Sequence, residues 1–137
     1  MDGFWVADSG GLDEFDRRTG KVIWRAPLRY SAGEFHEDQF GVLWMITGDD
    51  SSCALATVDL KANLVTCHSI DYETRGVKSP VHVYGMLESR EGTLWVSSRA
   101  GLLKLDREHQ RMISYHNHPL DNESLQSDNV INIYQDE

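Results

Sequence analysis

A chain of 137 residues falls within the range of one domain, and 13 Lys+Arg against 22 Asp+Glu leave it a formal net charge of −9. That balance argues against a nucleic-acid groove, which needs clustered cations to displace counterions; the densest basic spot, Arg17-Arg18 with Lys21, sits inside a turn. No apolar run approaches the length that spans a bilayer, so no membrane contact by this segment is expected, and Met1-Asp2-Gly3-Phe4-Trp5 lacks the basic and apolar regions of a signal peptide. The start runs straight into a strand, as expected of a chain cut from something longer.

In chain order, Phe4–Asp8 alternates as a strand should, Ser9-Gly10-Gly11 turns, and Leu12–Asp16 forms the next strand. Asp16-Arg17-Arg18-Thr19-Gly20-Lys21 is a hairpin turn into a strand beginning Val22-Ile23-Trp24. A second unit opens with a strand near Glu34–Glu37, turns at Asp38-Gln39-Phe40-Gly41, and continues with Val42–Thr47, the polar loop Gly48–Ser52, Leu55–Leu60 and Leu64–Ser69. Asp71 to Pro80, low in apolar residues, is expected to be a plain connection ended by Ser79-Pro80. The third unit places strands at Val81–Glu88, Leu94–Ser98, Leu102–Asp106 and Arg111–Tyr115, then a polar loop from His116 to Asn129. Val130–Asp136 repeats the pattern of a unit's opening strand.

One element recurs three times. Gly92-Thr93-Leu94-Trp95-Val96 followed by Gly101-Leu102-Leu103-Lys104-Leu105-Asp106 matches Gly3-Phe4-Trp5-Val6 with Gly11–Asp16, and Gly41-Val42-Leu43-Trp44-Met45 with Ala54–Asp59. The step from Trp to Gly is six residues in the outer copies and ten, to Ala54, in the middle one. No stretch carries a capped helical period, so little or no helix is expected. Four-stranded antiparallel meanders recurring about every 40–50 residues predict an all-β chain of β-propeller blades, about three of them, forming a partial propeller. A single twisted sheet cannot bury both faces alone and packs them against neighbours. The expected blades are residues 3–32, 33–80 and 81–129, with 130–137 as the innermost strand of a next blade. Phe4, Val6, Leu43, Met45, Leu94 and Val96 are the expected core of the second strands, and Trp5, Trp44 and Trp95 are expected to pack between blades rather than stack on a ligand.

The run Glu88-x3-Gly92-x-Leu94-Trp95-Val96, then Gly101-Leu102-x2-Leu105-Asp106, Tyr115-x3-Pro119, Ser124-Leu125 and Val130-x2-Ile133, closely resembles the two-component regulator propeller repeat. The resemblance covers essentially the whole chain and is strongest over residues 81–137; the middle unit departs, with its turn extended from Asp49 to Cys53 and Ala54 in place of glycine. In that family such repeats build the sensor regions of hybrid histidine kinases and related bacterial signalling proteins, outside the cytoplasmic membrane, and many members respond to carbohydrates. The resemblance therefore implies a sensory, ligand-recognising, non-catalytic segment of a bacterial inner-membrane regulator, on its periplasmic or extracellular side. A second resemblance, of Phe15-Asp16-x2-Thr19-Gly20-Lys21-Val22-Ile23-Trp24 to the outer hairpin of pyrroloquinoline-quinone-type propellers, is confined to one blade. A protein-interaction scaffold and a quinone-type or lyase-type enzymatic fragment remain as alternatives.

His36 and His82, with Tyr84, lie on expected innermost strands, where side chains approach a central channel; they are the ligand-contact candidates, against the plainer reading of satisfied interior side chains. His109, His116, His118 and Asp121 could suggest a metal loop, yet an ordinary inter-blade loop accounts for them, and no metal or other cofactor is expected. Asp49-Asp50 has the chemistry for acid–base work on a glycosidic bond, but a polar turn explains the pair, and no nucleophile elbow, phosphate loop or zinc motif occurs. Cys53 and Cys67, fourteen apart, form no metal pattern; free thiols are favoured over a hairpin-bridging disulfide, because strand register is not readable from sequence. The first blade lacks an innermost strand and Val130–Asp136 lacks a blade, so a homodimer is expected to be possible, with residues 130–136 of one chain beside 4–8 of the other.

Overall fold

The computed structural model describes residues 3–8, 10–26, 32–47, 53–59, 61–62, 64–68, 70–74 and 77–136. Their regular structure is all strand. β1 (Gly3–Asp8), β2 (Gly11–Asp16) and β3 (Lys21–Ala26) form one sheet in chain order. A second sheet runs β4 (Ala32–Glu37), β5 (Leu43–Thr47), β6 (Leu55–Asp59) and β7 (Leu64–His68). β8 (Asp71–Thr74) and β9 (Val77–Pro80) make a separate hairpin, and β10 (Val83–Glu88), β11 (Leu94–Ser98), β12 (Gly101–Asp106) and β13 (Arg111–Tyr115) make the third meander. Every pairing is antiparallel, each strand with its sequence neighbour.

The meanders are propeller blades. Successive sheets touch through β1, β4, β5 and β10, near their inner edges, and side-chain alternation sorts each strand between two neighbours. β5 shows this best. Leu43 and Met45 join Leu12, Ala56 and Val58 in a cluster shared with the first sheet, while Trp44 and Ile46 join Leu55, Val83, Leu94, Val96 and Leu103 in one shared with the third. All five β5 residues are buried as a result.

Two turn chemistries repeat. Asp38-to-Val42 and Ser89-to-Thr93 link an innermost strand to the next by the same pair of backbone bonds: Asp38 N–H to Val42 O at 3.0 Å with Gly41 N–H to Asp38 O at 2.8 Å, and Ser89 N–H to Thr93 O with Gly92 N–H to Ser89 O, both at 2.8 Å. Each turn needs a left-handed residue, supplied by Gly41 at φ 74° and Gly92 at φ 75°. The aspartate that closes each recurrent element, Asp16, Asp59 or Asp106, turns its carboxylate onto the amides of the following hairpin loop: Arg18 and Thr19, Lys61 and Ala62, and His109.

Several expectations are corrected. Asp71–Pro80 is a two-stranded hairpin, registered from Asp71↔Pro80 to Thr74↔Val77; ladder bonds are made by backbone, so low apolar content does not forbid them. Cys53 and Cys67 are bonded, with Cα atoms 5.3 Å apart. The register places Cys67 opposite Ala56, so the segment just ahead of β6 brings Cys53 back over β7. Phe4 and Val6, expected in the core, are 51% and 42% exposed, whereas Leu43, Met45, Leu94 and Val96 are buried. Val130–Asp136 joins no sheet: the Val130 amide donates to Ser98 O at 2.9 Å and the chain lies against the third blade without a ladder partner. The loop Gly48–Ser52, with Asp49-Asp50, lies outside the described residues.

Candidate functional site

The seam between the second and third blades gathers most of the polar side chains that join one sheet to another. Asp38, at the end of β4, has a fully buried carboxylate. Its Oδ1 accepts the Phe40 and Val42 amides at 2.9 and 3.0 Å; its Oδ2 accepts Trp44 Nε1–H at 2.8 Å and Arg107 from the third blade at 2.6 Å. Burial pushes this carboxyl up, but the donors from Trp44, Val42, Arg107 and Phe40 outweigh it and hold the group below the ordinary aspartate value. The Arg107 guanidinium also lies 4.7 Å from the centre of the Phe40 ring.

Nearer the inner edge, His36 Nε2 meets Glu88 Oε2 at 2.8 Å, the Gln39 amide donates to Glu88 Oε1 at 3.1 Å, and Glu34 Oε1 accepts the Met86 amide at 3.4 Å. His36 thus bridges β4 and β10 rather than reaching into open space. Carboxylates in this chain act as anchors: Glu88 for His36, Asp38 for Arg107, and Asp13 for Arg25 in a two-point contact of 2.8 and 2.7 Å. The Arg25 hydrogen bond holds the Asp13 carboxyl below its usual range.

His82 and Tyr84 lie elsewhere, around the start of β10. Their rings meet edge to face at 4.8 Å, and the Tyr84 hydroxyl donates to Asn129 Oδ1 at 2.9 Å. The His82 carbonyl accepts the amide of exposed Arg99, bringing the β11–β12 turn to the same end of the blade. This surface combines an edge-on aromatic pair, an amide side chain and a cation, three ways of addressing a polar ligand.

The three tryptophans have different surroundings. Trp44 is buried between the second and third sheets, 5.2 Å from the His68 ring; burial pushes the His68 imidazole toward its neutral form, and Thr57 Oγ1 hydrogen-bonds it at 2.9 Å. These residues with Phe40, Leu105 and Arg107 line a cleft of about 320 Å³. Trp5 meets Trp24 edge-on at 5.7 Å and packs against the cluster shared by the first two sheets. Trp95 turns to the outer face of the third blade, 5.8 Å from Tyr115 with Lys104 over its ring, in a cleft of about 470 Å³ that Leu102 and the loop residues His116 and His118 also line.

That loop is tied down by its own side chains. Asn117 N–H donates to Asp128 Oδ1 at 2.6 Å and His118 N–H to Ser124 Oγ at 2.8 Å. His116 engages Ser114 and His109 engages Asp106, and no cluster of metal-ligating side chains occurs among the described residues. The sequence shows Asp38 as a turn carboxylate, not as an inter-blade anchor, and does not single out Asn129. Asp38 stands at the head of the turn before Gly41-x-Leu43-Trp44, a position that marks it; nothing local marks Asn129, whose partner is 45 residues away.

No protein-family model matches the chain, and no curated protein matches it. Solved structures do. The extracellular domain of BT4673 from B. thetaiotaomicron, described as a one component system, superposes with a TM-score of 0.73 at 15% identity, over 98% of this chain and 18% of that one. A second structure of the BT4673 domain, there described as belonging to a hybrid two component system, gives 0.68 at 13% identity, again over 98% and 18%. The extracellular domain of the hybrid two component system BT3049 from the same organism gives 0.67 at 16% identity, over 98% and 16%. The chain spans less than a fifth of each of these neighbours, and at such identities what is shared is the fold.

Proposed function

We propose that this chain is a non-catalytic ligand-recognition segment in the sensor region of a two-component-type regulator, displayed on the periplasmic or extracellular side of a bacterial inner membrane. The observation that carries it is the superposition of nearly the whole chain on extracellular domains of such systems. The Cys53–Cys67 disulfide supports the compartment, since such bonds persist where the surroundings are oxidising. The anchoring of Asp38, Glu88 and Asp13 by cations and amides supports a binding rather than a catalytic role, as these carboxylates are already engaged.

The surface proposed to meet ligand is the end of the third blade bearing His82, Tyr84, Arg99 and Asn129, and the ligand class is a carbohydrate or another small polar molecule. His36 is then a positioning residue at the blade seam. A panel of neutral and acidic oligosaccharides titrated into isotopically labelled protein tests this. The expected result is saturable shift perturbation centred on Tyr84 and Asn129, lost in Tyr84→Ala while the summed tryptophan fluorescence of the folded chain is kept. Perturbation confined to another face, or none across the panel, would remove the assignment.

A further inference from the structure

The recurrent units allow their outer hairpins to be compared residue by residue. Asp16-to-Lys21 and Asp106-to-Arg111 are the same turn, closed by the pairs Asp16↔Lys21 and Asp106↔Arg111. Its penultimate position is Gly20 at φ 67° in the first blade and Gln110 at φ 52° in the third. Gln110 is the one non-glycine residue with a positive φ among the described residues, and glutamine is not a type that enters this region readily. A side chain held there at a cost in strain points to a role. The Gln110 amide folds back over the turn, where Nε2 donates to the Arg107 carbonyl at 2.7 Å.

Gln110 stands on the cleft of about 320 Å³ between the second and third blades, both of whose walls belong to this chain. That volume is at the low end for small-molecule sites and admits one or two fused rings. Trp44 and His68 supply two ring side chains 5.2 Å apart, with Thr57 Oγ1 on the imidazole at 2.9 Å. Phe40, 65% exposed, supplies a third. The registers Leu55↔His68 and Leu102↔Tyr115 are equivalent, so His68 takes the place that a tyrosine holds in the third blade. Two departures from the repeat, an imidazole for a phenol and a glutamine for a glycine, therefore meet in one cleft.

Charge narrows what fits. Arg107 bonds Asp38 Oδ2 through Nη2 at 2.6 Å, so its charge is already matched, and among the described residues its other N–H groups make no hydrogen bond. The net charge of −9 further disfavours an anion. We propose that this cleft is a further binding site, for a small neutral heteroaromatic ring of the pyrimidine or purine kind. The ring stacks on the aromatic lining, turns an acceptor toward the Arg107 N–H groups and a donor toward Gln110 Oε1. Arg107 and Gln110 stand at the β12–β13 turn and Arg99 at the β11–β12 turn, opposite ends of β12. The site is therefore separate from the Tyr84–Asn129 surface and does not rest on the reading given to it.

The experiment titrates adenine, uracil and, as a flat anion, benzoate into the isotopically labelled 137-residue chain. Adenine and uracil are expected to move the Trp44 indole N–H and the Gln110 amide, saturating at about millimolar concentration, as suits so few ligand atoms; benzoate is expected to bind more weakly. Gln110→Gly relieves the left-handed strain, so its urea midpoint is expected at or above that of the wild type. Its affinity for adenine, read at the Trp44 indole, is expected to fall about five- to tenfold, the worth of one hydrogen bond. Phe40→Ala, at an exposed position, is expected to fold and to lose the saturable shifts. Wild-type affinity in Gln110→Gly overturns the proposal, as does the absence of saturable shifts at Trp44 up to the solubility of each base. Benzoate binding tighter than the bases overturns the ligand class, and shifts centred on Tyr84 and Asn129 overturn the location.

Discussion

Replacing Asp38 by Ala is expected to be the most damaging single change at the blade seam. The carboxylate is fully buried and receives four N–H groups, from Phe40, Val42, Trp44 and Arg107, at 2.6 to 3.0 Å. Its removal strands the buried indole N–H of Trp44 and leaves Arg107, whose side chain is 30% exposed, without its counter-charge. Breaking a buried ion pair from one side costs about 3–5 kcal/mol, and an orphaned buried donor costs about 1–3 kcal/mol. Partial access of water to Arg107, and the Phe40 ring beneath it, place the total near the low end, about 3–4 kcal/mol. With a urea dependence of about 2 kcal/mol per molar, the unfolding midpoint should fall by about 1.5–2 M. Urea titrations followed by tryptophan fluorescence and far-UV circular dichroism on the same samples measure this. Arg107→Ala and the double variant complete a cycle in which the two losses should be strongly non-additive. A loss below about 1 kcal/mol for Asp38→Ala, or simple additivity, would refute the buried-anchor account.

Acidification should reveal the same anchors. Asp38, Asp106, Asp16 and Asp13 all sit below the ordinary aspartate value in the folded chain, so their contribution is complete above the unfolded value and is lost as pH falls through the depressed folded ones; the urea midpoint should drop below about pH 4, less steeply in Asp38→Asn, and a midpoint unchanged to about pH 3 would contradict this. Gly101→Ala should cost at least about 2 kcal/mol, because Gly101 has φ 96° and an added Cβ would clash with the Tyr115 carbonyl oxygen. Gly20→Ala, with φ 67° and nothing within 4 Å of the new methyl, should cost only about 1 kcal/mol; equal losses in urea titration would count against the steric account. Cys53→Ser/Cys67→Ser, opening a loop of sequence separation 14, should lose about 3 kcal/mol, and reductant should shift the wild type alike; insensitivity to reductant would show the bond adds no stability.

Much of the fold is legible because the chain states it three times. A Trp flanked by apolar residues, followed by Gly-Leu and a closing Asp, encodes a central strand, a tight turn and a capped hairpin, and the structure shows each device at work in Gly92, Asp106 and Leu94. What was not legible depends on distance or on neighbours. Tyr72, Thr74 and Val77 are competent strand formers, yet too short a run to stand out from a connection. The Cys53–Cys67 bond turns on register, which side-chain alternation leaves open by two-residue steps. Phe4 and Val6 have the pattern of core residues and would be core wherever a sheet lay behind them; periodicity says which face a side chain takes, not whether anything covers it. His36 and His82 looked alike in sequence, but Glu88 occupies one and Asn129 reaches only the tyrosine beside the other.

The two seams also differ in how they hold. Among the described residues, the first and second blades meet across an apolar cluster around Leu12, Leu43 and Met45, while the second and third add Arg107 to Asp38, His36 to Glu88 and the Met86 amide to Glu34. In a linear array, where each sheet is stabilised only by those next to it, unequal couplings set an order of disassembly. Amide hydrogen exchange should therefore run faster through β1–β3, held by the apolar seam, than through β5 and β11, which border the seam with the added polar ties.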